Sequence, residues 1–539
     1  MSSPFGTSMT KLRERSQQAW NDRSPWSALY DEAYRWVVPM RRPGGHGAAG
    51  LDLDHLFDMT APTSAMHFAG NLQRDLFPSG QQKFNLIAGP VTAAALSRDE
   101  KKSYNRILGR QSELLHPFFL AGDFDTAIHE CCVDLSVGTG GLLPLRGTPD
   151  RPLKFAAIPF DQLAILVDHC GQPFLVSWKQ VMTYDQLREQ FKTGKFGRKF
   201  EQKYTNKGSQ KLTVIQDFFK DPRGYQYGWH FVARVDNEDE HFDHERYATQ
   251  PIAVPRYYRI PGEAYGRGVV LTALPSIRTV NKAQEIALKS AAIQMLGIWG
   301  YRAGGTFNPD TVRIGAGEFW SMQSTGGMLG PDIQRLDPAS GRQDVANMLI
   351  GNLQEQIREA MLDTRLPEHA GTPRSASEIT AHLRQRADVH IGAFGRLVRE
   401  IMPVVVPRSI EILHGFGIMS QVPMQLDQLL YSIDVQSPMA AALNADRLAS
   451  IANYLEFVGA VAGPEKVELY ANLDEIMDKV ADGLQIDKSL IPDEDQKKAM
   501  EQKIQDRQEA QLLQLFGQEM AKQAPSMLAN ASQPQAQAA

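Results

Sequence analysis

The chain has 539 residues, of which 42% are hydrophobic and 22% are charged. These proportions are typical of a soluble globular protein, and the length predicts three or four structural units. The formal net charge is −5, so the chain lacks the basic excess of a protein that grips nucleic acid through its phosphates. The composition therefore argues against tight DNA binding, although it allows DNA to pass nearby.

Three cysteines give an odd count, and Cys131 and Cys132 are adjacent, so the sequence predicts no disulfide framework. Free thiols are typical of proteins in a reducing cytoplasm. The first residues become charged almost at once and lack the apolar core of a secretory signal. No run approaches the roughly 18–20 apolar residues of a membrane span. We therefore expect a soluble cytoplasmic protein that does not contact a membrane.

The first 270 residues predict an α+β body. Apolar residues at helical spacing predict helices at 8–38, 60–76 and 97–120. The third of these helices is expected to break at Pro117, because proline removes a backbone donor. Runs rich in β-branched and aromatic residues then fill 153–181. Two alternating runs flank a turn-forming tetrapeptide at 221–224, which predicts a β-hairpin.

A different pattern follows from 265 to 341. Tyr265-Gly266-Arg267-Gly268 leads into a glycine-free segment, 276–296, that predicts a helix. Ten of the 45 residues from 297 to 341 are glycine. Because glycine disfavours a helix by about 1 kcal/mol relative to alanine, this stretch predicts short strands and turns. With a second helix expected at 343–366, the pattern predicts a small module at the tip of a helical hairpin.

A cluster of aromatic residues lies within this glycine-rich module: Trp299, Tyr301, Phe307, Phe319 and Trp320. One interpretation is a small core, because so short a module has little else to bury. The other interpretation is an exposed docking surface, since aromatic residues dominate the energetics of interfaces. Both interpretations stay open, and different residues can serve different roles.

The remaining third of the chain predicts mostly helix. Two prolines bar helix from 367–374, which is therefore expected to be a loop. A long helix is expected from Ser375, and Pro403 and Pro407 should kink or interrupt it. Short helices separated by glycine are expected at 440–490. The final stretch is rich in glutamine and predicts a polar helix followed by a disordered tail.

Motifs of enzymes are missing from the sequence, including the phosphate-binding P-loop, H-E-x-x-H, C-x-x-C and G-x-S-x-G. Residues 129–132 offer potential metal ligands, but adjacent residues on a helix point apart and cannot easily share one ion. His241 and His244 lie in an acidic stretch that predicts a solvated loop. Residues 266–268 predict a tight turn where two segments approach closely. No catalytic, cofactor or metal site is predicted.

Four segments occur in the following order: FDMTAPTSAMHFAGNLQRDLFPSGQQKFNL at 57–86, YGRGVVLTALPSIRTVN at 265–281, SASEITAHLRQRADVHIGAFGRLVREIMPVVVPR at 375–408 and SPMAAALNADRLASIANYLEFV at 437–458. Together they resemble the portal (head-to-tail connector) proteins of short-tailed bacteriophages, the podovirus type. The resemblance covers about residues 10–490, and its specificity lies in the ordered set. Val269 stands where the family usually has proline, and Lys83-Phe84 where it often has Trp-Phe.

This resemblance implies a mainly helical α+β portal fold with a wing, a two-helix stem, a small β-containing clip and a helical crown, assembled as a ring. The implied division of the chain is a wing at 1–270, stem helices at 271–296 and 342–366, the clip at 297–341, a tunnel loop at 367–374, a long helix with the wing remainder at 375–435, the crown at 436–493, and a polar helix with a disordered tail at 494–539. The expected site residues are Glu368, His369 and Arg374 in the tunnel loop, Trp299, Phe319 and Trp320 for clip docking or packing, and Tyr265, Gly266, Arg267 and Gly268 as the stem turn.

Proteins of this family form a dodecameric ring at one capsid vertex, through which double-stranded DNA is packaged and ejected. The implied partners are copies of the chain itself, the major capsid protein and scaffold, the packaging ATPase (the terminase large subunit) and tail adaptor proteins. DNA would pass without sequence-specific binding. The protein would lie in the virion, and in the host cytoplasm during assembly, and it would need no cofactor because it hydrolyses nothing.

The two stem helices give an independent reason to expect a ring. At 1.5 Å per residue they are about 30–36 Å long, too long to bury their apolar faces against a small module, so neighbouring subunits are the expected partners. Two alternatives stay open. A scaffolding or inner-capsid structural protein without a channel is expected to lack the helix, module and helix insertion. A hydrolase or nuclease with dispersed residues is expected to depend on a metal or nucleotide.

Overall fold

The computed structural model describes residues 9–41, 55–192, 194–204, 206–221, 228–236, 238, 241–296, 298–301, 333–336, 343–363, 376–418, 431–462, 471–483 and most of 500–510. The chain divides into two compact units, Met1–Arg447 and Leu448–Ala539. The predicted clip residues Phe319 and Trp320 and the whole predicted tunnel loop lie outside the described residues.

Helices dominate the described chain, as the sequence predicts. They are α1 (Met9–Val37), α2 (Thr60–Leu76), α3 (Pro90–Ala95), α4 (Arg98–Ala121), α5 (Phe124–Val137), α6 (Tyr184–Gln190), α7 (Arg198–Tyr204), α8 (Val269–Leu296), α9 (Gln343–Ala360), α10 (Ala376–His414), α11 (Pro438–Ala462) and α12 (Leu473–Gly483). None of the described helices is both long and apolar enough to cross a membrane.

The described strands form one five-stranded sheet and three two-stranded ladders. They are β1 (Phe84–Ala88), β2 (Gly141–Thr148), β3 (Arg151–Ile158), β4 (Leu163–Val167), β5 (Pro173–Thr183), β6 (Lys211–Lys220), β7 (Trp229–Val235), β8 (His241–Tyr247), β9 (Ile298–Tyr301), β10 (Ile333–Leu336) and β11 (Tyr431–Val435). The large sheet has the order β4-β5-β6-β7-β8, and the ladders are β1-β11, β2-β3 and β9-β10, all antiparallel. The α+β class is therefore confirmed, as is the predicted hairpin, which is β6-β7.

Helix α1 packs on both the large sheet and a group of helices in the first unit. Its carboxyl half buries Tyr30, Tyr34 and Val37 completely or almost so, at the helical spacing that the sequence predicts. This half packs against α2, α5 and α8. Its amino half covers the large sheet, where Leu12 and Ala19 pack on β-strand residues and the Ser16 hydroxyl donates to Asp217 Oδ1 at 2.8 Å. A single long helix thus contacts the large sheet through one half and α2, α5 and α8 through the other.

Three predicted helices differ from the structure. Helix α4 runs through Pro117 without the predicted break, and α10 continues through Pro403 and Pro407, which do not interrupt it. Each proline costs a backbone hydrogen bond, but the flanking side chains, such as Phe119 and Val405, are buried, and their packing outweighs that loss.

The second predicted stem helix also differs from its expected bounds, because α9 ends at Ala360 and not at 366. Leu362 takes a left-handed conformation with φ of 57°. Its N–H donates to Glu359 O at 3.0 Å, and Asp363 N–H donates to Arg358 O at 2.9 Å. These two bonds form a Schellman motif, which terminates a helix.

The predicted solvated loop around His241 and His244 is also wrong. Both residues belong to β8, the edge strand of the large sheet, and His244 pairs with Val232 of β7. His244 stacks on the buried His230, whose Nε2 lies 3.1 Å from Asp221 Oδ2. Burial, reinforced by His230 and neighbouring basic groups, lowers the pKa of His244 to about 4.

Candidate functional site

The best-defined candidate site is the start of α8, where the residues before this helix pack against the α+β part of the chain. Here the residues before α8 form a short bridge with a neighbouring segment, since Arg267 N donates to Tyr258 O at 2.7 Å and Tyr258 N donates to Arg267 O at 3.1 Å. Gly268 N donates to Val137 O at 2.8 Å, at the end of α5. A Cβ atom on Gly268 would collide with the Ser136 carbonyl. The predicted close approach of two backbone segments is therefore confirmed.

Tyr265 fixes this junction from the other side. Its hydroxyl accepts a hydrogen bond from Ile165 N at 3.1 Å, and its ring packs on Trp26 and Phe160 with centroids 5.8 and 5.4 Å away. Burial raises the pKa of Tyr265 to about 12, so the side chain stays neutral. Arg267, by contrast, is half exposed and pairs with Glu263 at 2.6 Å. The residues of the predicted stem turn thus hold the start of α8 against the body.

A buried ion pair attaches α10 to the same junction. The Arg256 side chain is 0% exposed, and its guanidinium lies 2.7 Å from Glu400 Oε1. Arg256 N also donates to Glu400 Oε2 at 2.8 Å, and the guanidinium donates to Gly171 O at 3.0 Å. Because the charge has no access to water, Glu400 is its essential partner. The pair connects α10, the β4-β5 turn and the segment before α8.

Both predicted stem helices are anchored at one point, Asp58. Asn281 of α8 is buried, and its Oδ1 accepts hydrogen bonds from Phe57 N at 3.0 Å and Asp58 N at 3.1 Å. Gln354 of α9 donates from Nε2 to Asp58 Oδ1 at 2.6 Å. The segment before α2 therefore joins α8 and α9 through side-chain hydrogen bonds.

A second anchor secures the end of α9. Asp363 is buried and accepts hydrogen bonds from Ser64 Oγ at 2.8 Å, while His67 Nδ1 lies 3.1 Å from its other oxygen. On α8, Arg278 forms an ion pair with Glu32 of α1 at 2.5 Å. These contacts, together with those at Asp58, fix the base of the helix pair on α1 and α2.

Beyond this base, α8 and α9 pack on each other and lead to the β9-β10 ladder. Trp299 lies in β9 and pairs with Arg335 of β10. The predicted short strands of the glycine-rich module are confirmed for this pair. Apolar side chains on the two helices stay exposed: Ile286 and Leu288 on α8, and Met348 and Leu349 on α9, all more than half accessible.

Other side chains that could take part in chemistry lie in the interior. Cys131 and Cys132 are fully buried in α5, and burial raises the pKa of the Cys132 thiol to about 12. Asp134, also buried, is bound by Arg41 at 2.7 and 2.8 Å. Within the described part of the chain, no group of three or more His, Cys, Asp or Glu residues could hold a metal ion.

Lys83, one of the residues at which the chain departs from the portal pattern, is only 1% exposed. Its ammonium group lies 2.8 Å from Asp125 Oδ1 and 5.6 Å from the Phe124 ring centroid. The position thus keeps an interior role, with an ion pair where the family often has an aromatic ring.

Sequence reasoning identified the glycines before α8 but missed the anchors. Arg256, Asn281, Gln354, Asp363 and Glu400 were not predicted. Only Asn281 had a usable signal, a polar residue in line with the apolar positions of α8. For the others, the partners lie more than 100 residues away, and nothing in the local sequence marks them.

Comparison with known proteins agrees with this architecture. The family model described as bacteriophage head to tail connecting protein matches residues 9–491, nearly the whole chain. A search of curated proteins gave no match. The family match spans both the anchored helix pair and the body that carries it. The chain therefore belongs to the family of bacteriophage head to tail connecting proteins.

Proposed function

We propose that the chain is the subunit of a viral portal, a ring at one capsid vertex through which DNA enters and leaves the head. The connector family supports a structural role that involves capsid and tail components of the virion. The observation that carries the proposal further is the helix pair α8 and α9, which is anchored at its base and carries exposed apolar side chains. We assign this pair as the stem.

The exposed apolar side chains argue for neighbouring copies. Ile286 is 57% exposed and Met348 is 68% exposed, although each lies on a helix otherwise fixed to the body. A single subunit leaves these side chains in water, whereas a second copy packed against the stem would bury them. A contact between different faces of identical subunits closes into a ring when its rotation permits. A dodecamer is the state that we propose in the assembled virion.

The remaining divisions of the chain follow from the same proposal. The wing comprises 1–270 with part of 375–435, the clip 297–341 and the crown 436–493. The clip would receive the packaging ATPase first and tail adaptor proteins afterwards, with Trp299, Phe319 and Trp320 in packing or docking. The major capsid protein and scaffold would surround the wing during assembly in the host cytoplasm.

The loop at 367–374 would enter the channel. A 30 Å stem faces roughly 18 phosphates of duplex DNA, so a ring of basic side chains there would bind DNA tightly and stall it. The loop holds Arg374, Glu368 and His369, which leaves it close to neutral. We therefore expect it to touch DNA without gripping it. The portal itself would hydrolyse nothing, in line with the structural character of its family.

Two experiments test these assignments. Native mass measurement over rising protein concentration should give a closed oligomer, and monomer at every concentration would refute the ring. Replacing Glu368 and His369 with lysine should slow packaging or ejection, and added salt should relieve the defect. Wild-type rates in low salt would place the loop outside the channel.

Deleting 297–341 and joining α8 to α9 by a short linker tests the clip. The body should still fold, because its core lies elsewhere, and attachment of motor or tail should be lost. Filled and tailed particles from the deletion variant would show that docking uses another surface.

A further inference from the structure

The two stem helices carry opposite charge patterns. Helix α8 has three basic residues and one acidic residue, whereas α9 has three acidic residues and one basic residue. The basic side chains of α8 are exposed, with Lys282 67% and Lys289 69% accessible. On α9, Glu355 is 73% accessible, and Glu359 is exposed as well. One subunit thus presents a basic face on one helix and an acidic face on the other.

The anchor at Asp58 sets a common height for the two helices. Asn281 accepts from the N–H of Asp58 and Gln354 donates to its carboxylate, which places the two residues near one level. The chain leaves the body along α8 and returns along α9, so heights increase along α8 and decrease along α9. At 1.5 Å per residue, Lys282 lies about 1.5 Å above this level and Glu355 about 1.5 Å below it.

Exposed apolar side chains on the two helices also lie at similar heights. Measured from the level of Asn281 and Gln354, Ile286 lies about 7.5 Å and Met348 about 9 Å towards the end of the helix pair that carries the β9-β10 ladder. Both side chains are exposed, at 57% and 68%. Lys282 therefore lies at nearly the height of Glu355, and Ile286 lies at nearly the height of Met348.

We propose that the α8 face of one subunit packs against the α9 face of the next, with Lys282 beside Glu355 and Ile286 beside Met348. This inference rests on the ring of the proposed function, with the stem along the ring axis. A rotation about that axis leaves every height unchanged, so the matches within one subunit also hold between neighbours. Because the α8 face is basic and the α9 face is acidic, the α9 face of each subunit binds the α8 face of its neighbour, and this fixes the direction in which subunits follow one another around the ring.

The charged residues can change partner at little cost. Within one subunit Lys282 pairs with Glu285 at 3.0 Å, and Glu355 with Arg358 at 3.1 Å. Both pairs lie on the surface of a single helix, where such contacts stabilise only weakly. A neighbouring stem that partly excludes water strengthens the interaction between charges, so a register that brings opposite charges together is favoured over one that brings like charges together.

Cross-linking of mixed single-cysteine subunits tests the register. One subunit carries Lys282→Cys, the other carries Glu355→Cys with an affinity tag, and both carry Cys170→Ser, because Cys170 is the exposed native cysteine of the described chain. Cys131 and Cys132 are fully buried, and burial raises both thiol pKa values, so they should not react. After assembly, bismaleimidoethane should give a covalent heterodimer.

The matched control pairs Lys289→Cys with Glu355→Cys. Lys289 is as exposed as Lys282 but lies about 12 Å above the shared level, beyond the reach of the short cross-linker. Heterodimer from the first pair and none from the control supports the register. Equal cross-linking by the two pairs, or by neither, in rings seen by electron microscopy overturns the inference and leaves the proposed function standing. Absence of rings overturns both.

A charge exchange gives a second readout. Lys282→Glu alone and Glu355→Lys alone should each lower the yield of rings, because each places like charges at one height. The double variant should restore the yield, since it returns opposite charges to the contact. Rings that form equally well from both single variants, or a double variant worse than either, would contradict the pairing.

Discussion

Replacing Glu400 with glutamine tests how firmly α10 is held to the junction before the stem. The Arg256 side chain is 0% exposed and that of Glu400 11%, so the variant leaves a buried guanidinium without its counter-charge. Removing one partner of a buried pair costs about 3–5 kcal/mol. Glutamine keeps an oxygen for the hydrogen bond from Arg256 N, at 2.8 Å in the native protein. The loss of stability in Glu400→Gln therefore reports mainly on the missing negative charge.

Urea unfolding followed by tryptophan fluorescence measures the effect. We expect a lower unfolding midpoint for Glu400→Gln. Glu201→Gln is the control, because Glu201 and Arg188 form an exposed pair, 42% and 46% accessible, whose loss should change the free energy of unfolding by less than about 1 kcal/mol. The double variant Arg256→Met with Glu400→Leu should recover much of the loss, since no unpaired charge remains.

The urea midpoints of Glu400→Gln and Glu201→Gln show whether the buried pair holds the junction together. If Glu400→Gln unfolds at the same urea concentration as Glu201→Gln, the buried pair does not hold the junction together. If the double variant is less stable than Glu400→Gln, the cost does not arise from an uncompensated charge. Either result would refute the reasoning.

Three other predictions follow from the same structure. Asn281→Ala frees the N–H groups of Phe57 and Asp58, so their amide hydrogen exchange should accelerate; the N–H of the buried Asp58 costs about 1–3 kcal/mol when left unpaired. Gly268→Ala should lower the free energy of unfolding by about 1–3 kcal/mol, because its methyl group meets the Ser136 carbonyl. The pKa of His244 is lowered from 6.5 to about 4 by burial, so the unfolded chain binds this proton first. Stability should therefore fall as the pH drops from about 6.5 to about 4, and His244→Gln should reduce that slope.

Each of these predictions has a control or a result that would contradict it. Gly351→Ala on α9 adds a methyl group in open space and should be neutral or stabilising, since alanine favours a helix. Equal destabilisation by Gly351→Ala and Gly268→Ala would contradict the collision argument. Unchanged exchange at Phe57 and Asp58 in Asn281→Ala would show that the anchor is not formed in solution. An identical pH slope in His244→Gln would assign the titration to another group.

The fold was predictable where periodicity is strong. Alternating apolar residues marked β6 and β7, and helical spacing marked α1, because each pattern follows from one buried face. The strand β8 was missed because Asp243 and Glu245 suit a loop as well as an edge strand, whose outer side faces water. Only its pairing with β7 decides the conformation, and that is a tertiary property.

The site was predictable only in part, for a related reason. Glycine at 266 and 268 signals a close approach of backbone segments in any fold. The anchor at Asp58 depends on residues 223 positions apart in the chain, so no local pattern could pair them. The end of α9 and the course of α10 through two prolines show the same limit, because a left-handed Leu362 and prolines within a helix are tolerated only where packing requires them. The roles of Glu368, His369, Arg374, Phe319 and Trp320 stay predictions.

Electron microscopy of the purified, assembled protein tests the central claim most directly. We expect closed rings with a central channel, twelve-fold when assembled with capsid components, in which α8 and α9 form the stem. The density should place the basic face of each α8 next to the acidic face of the neighbouring α9. Compact particles without a central channel, at concentrations where the protein is fully assembled, would contradict the portal assignment.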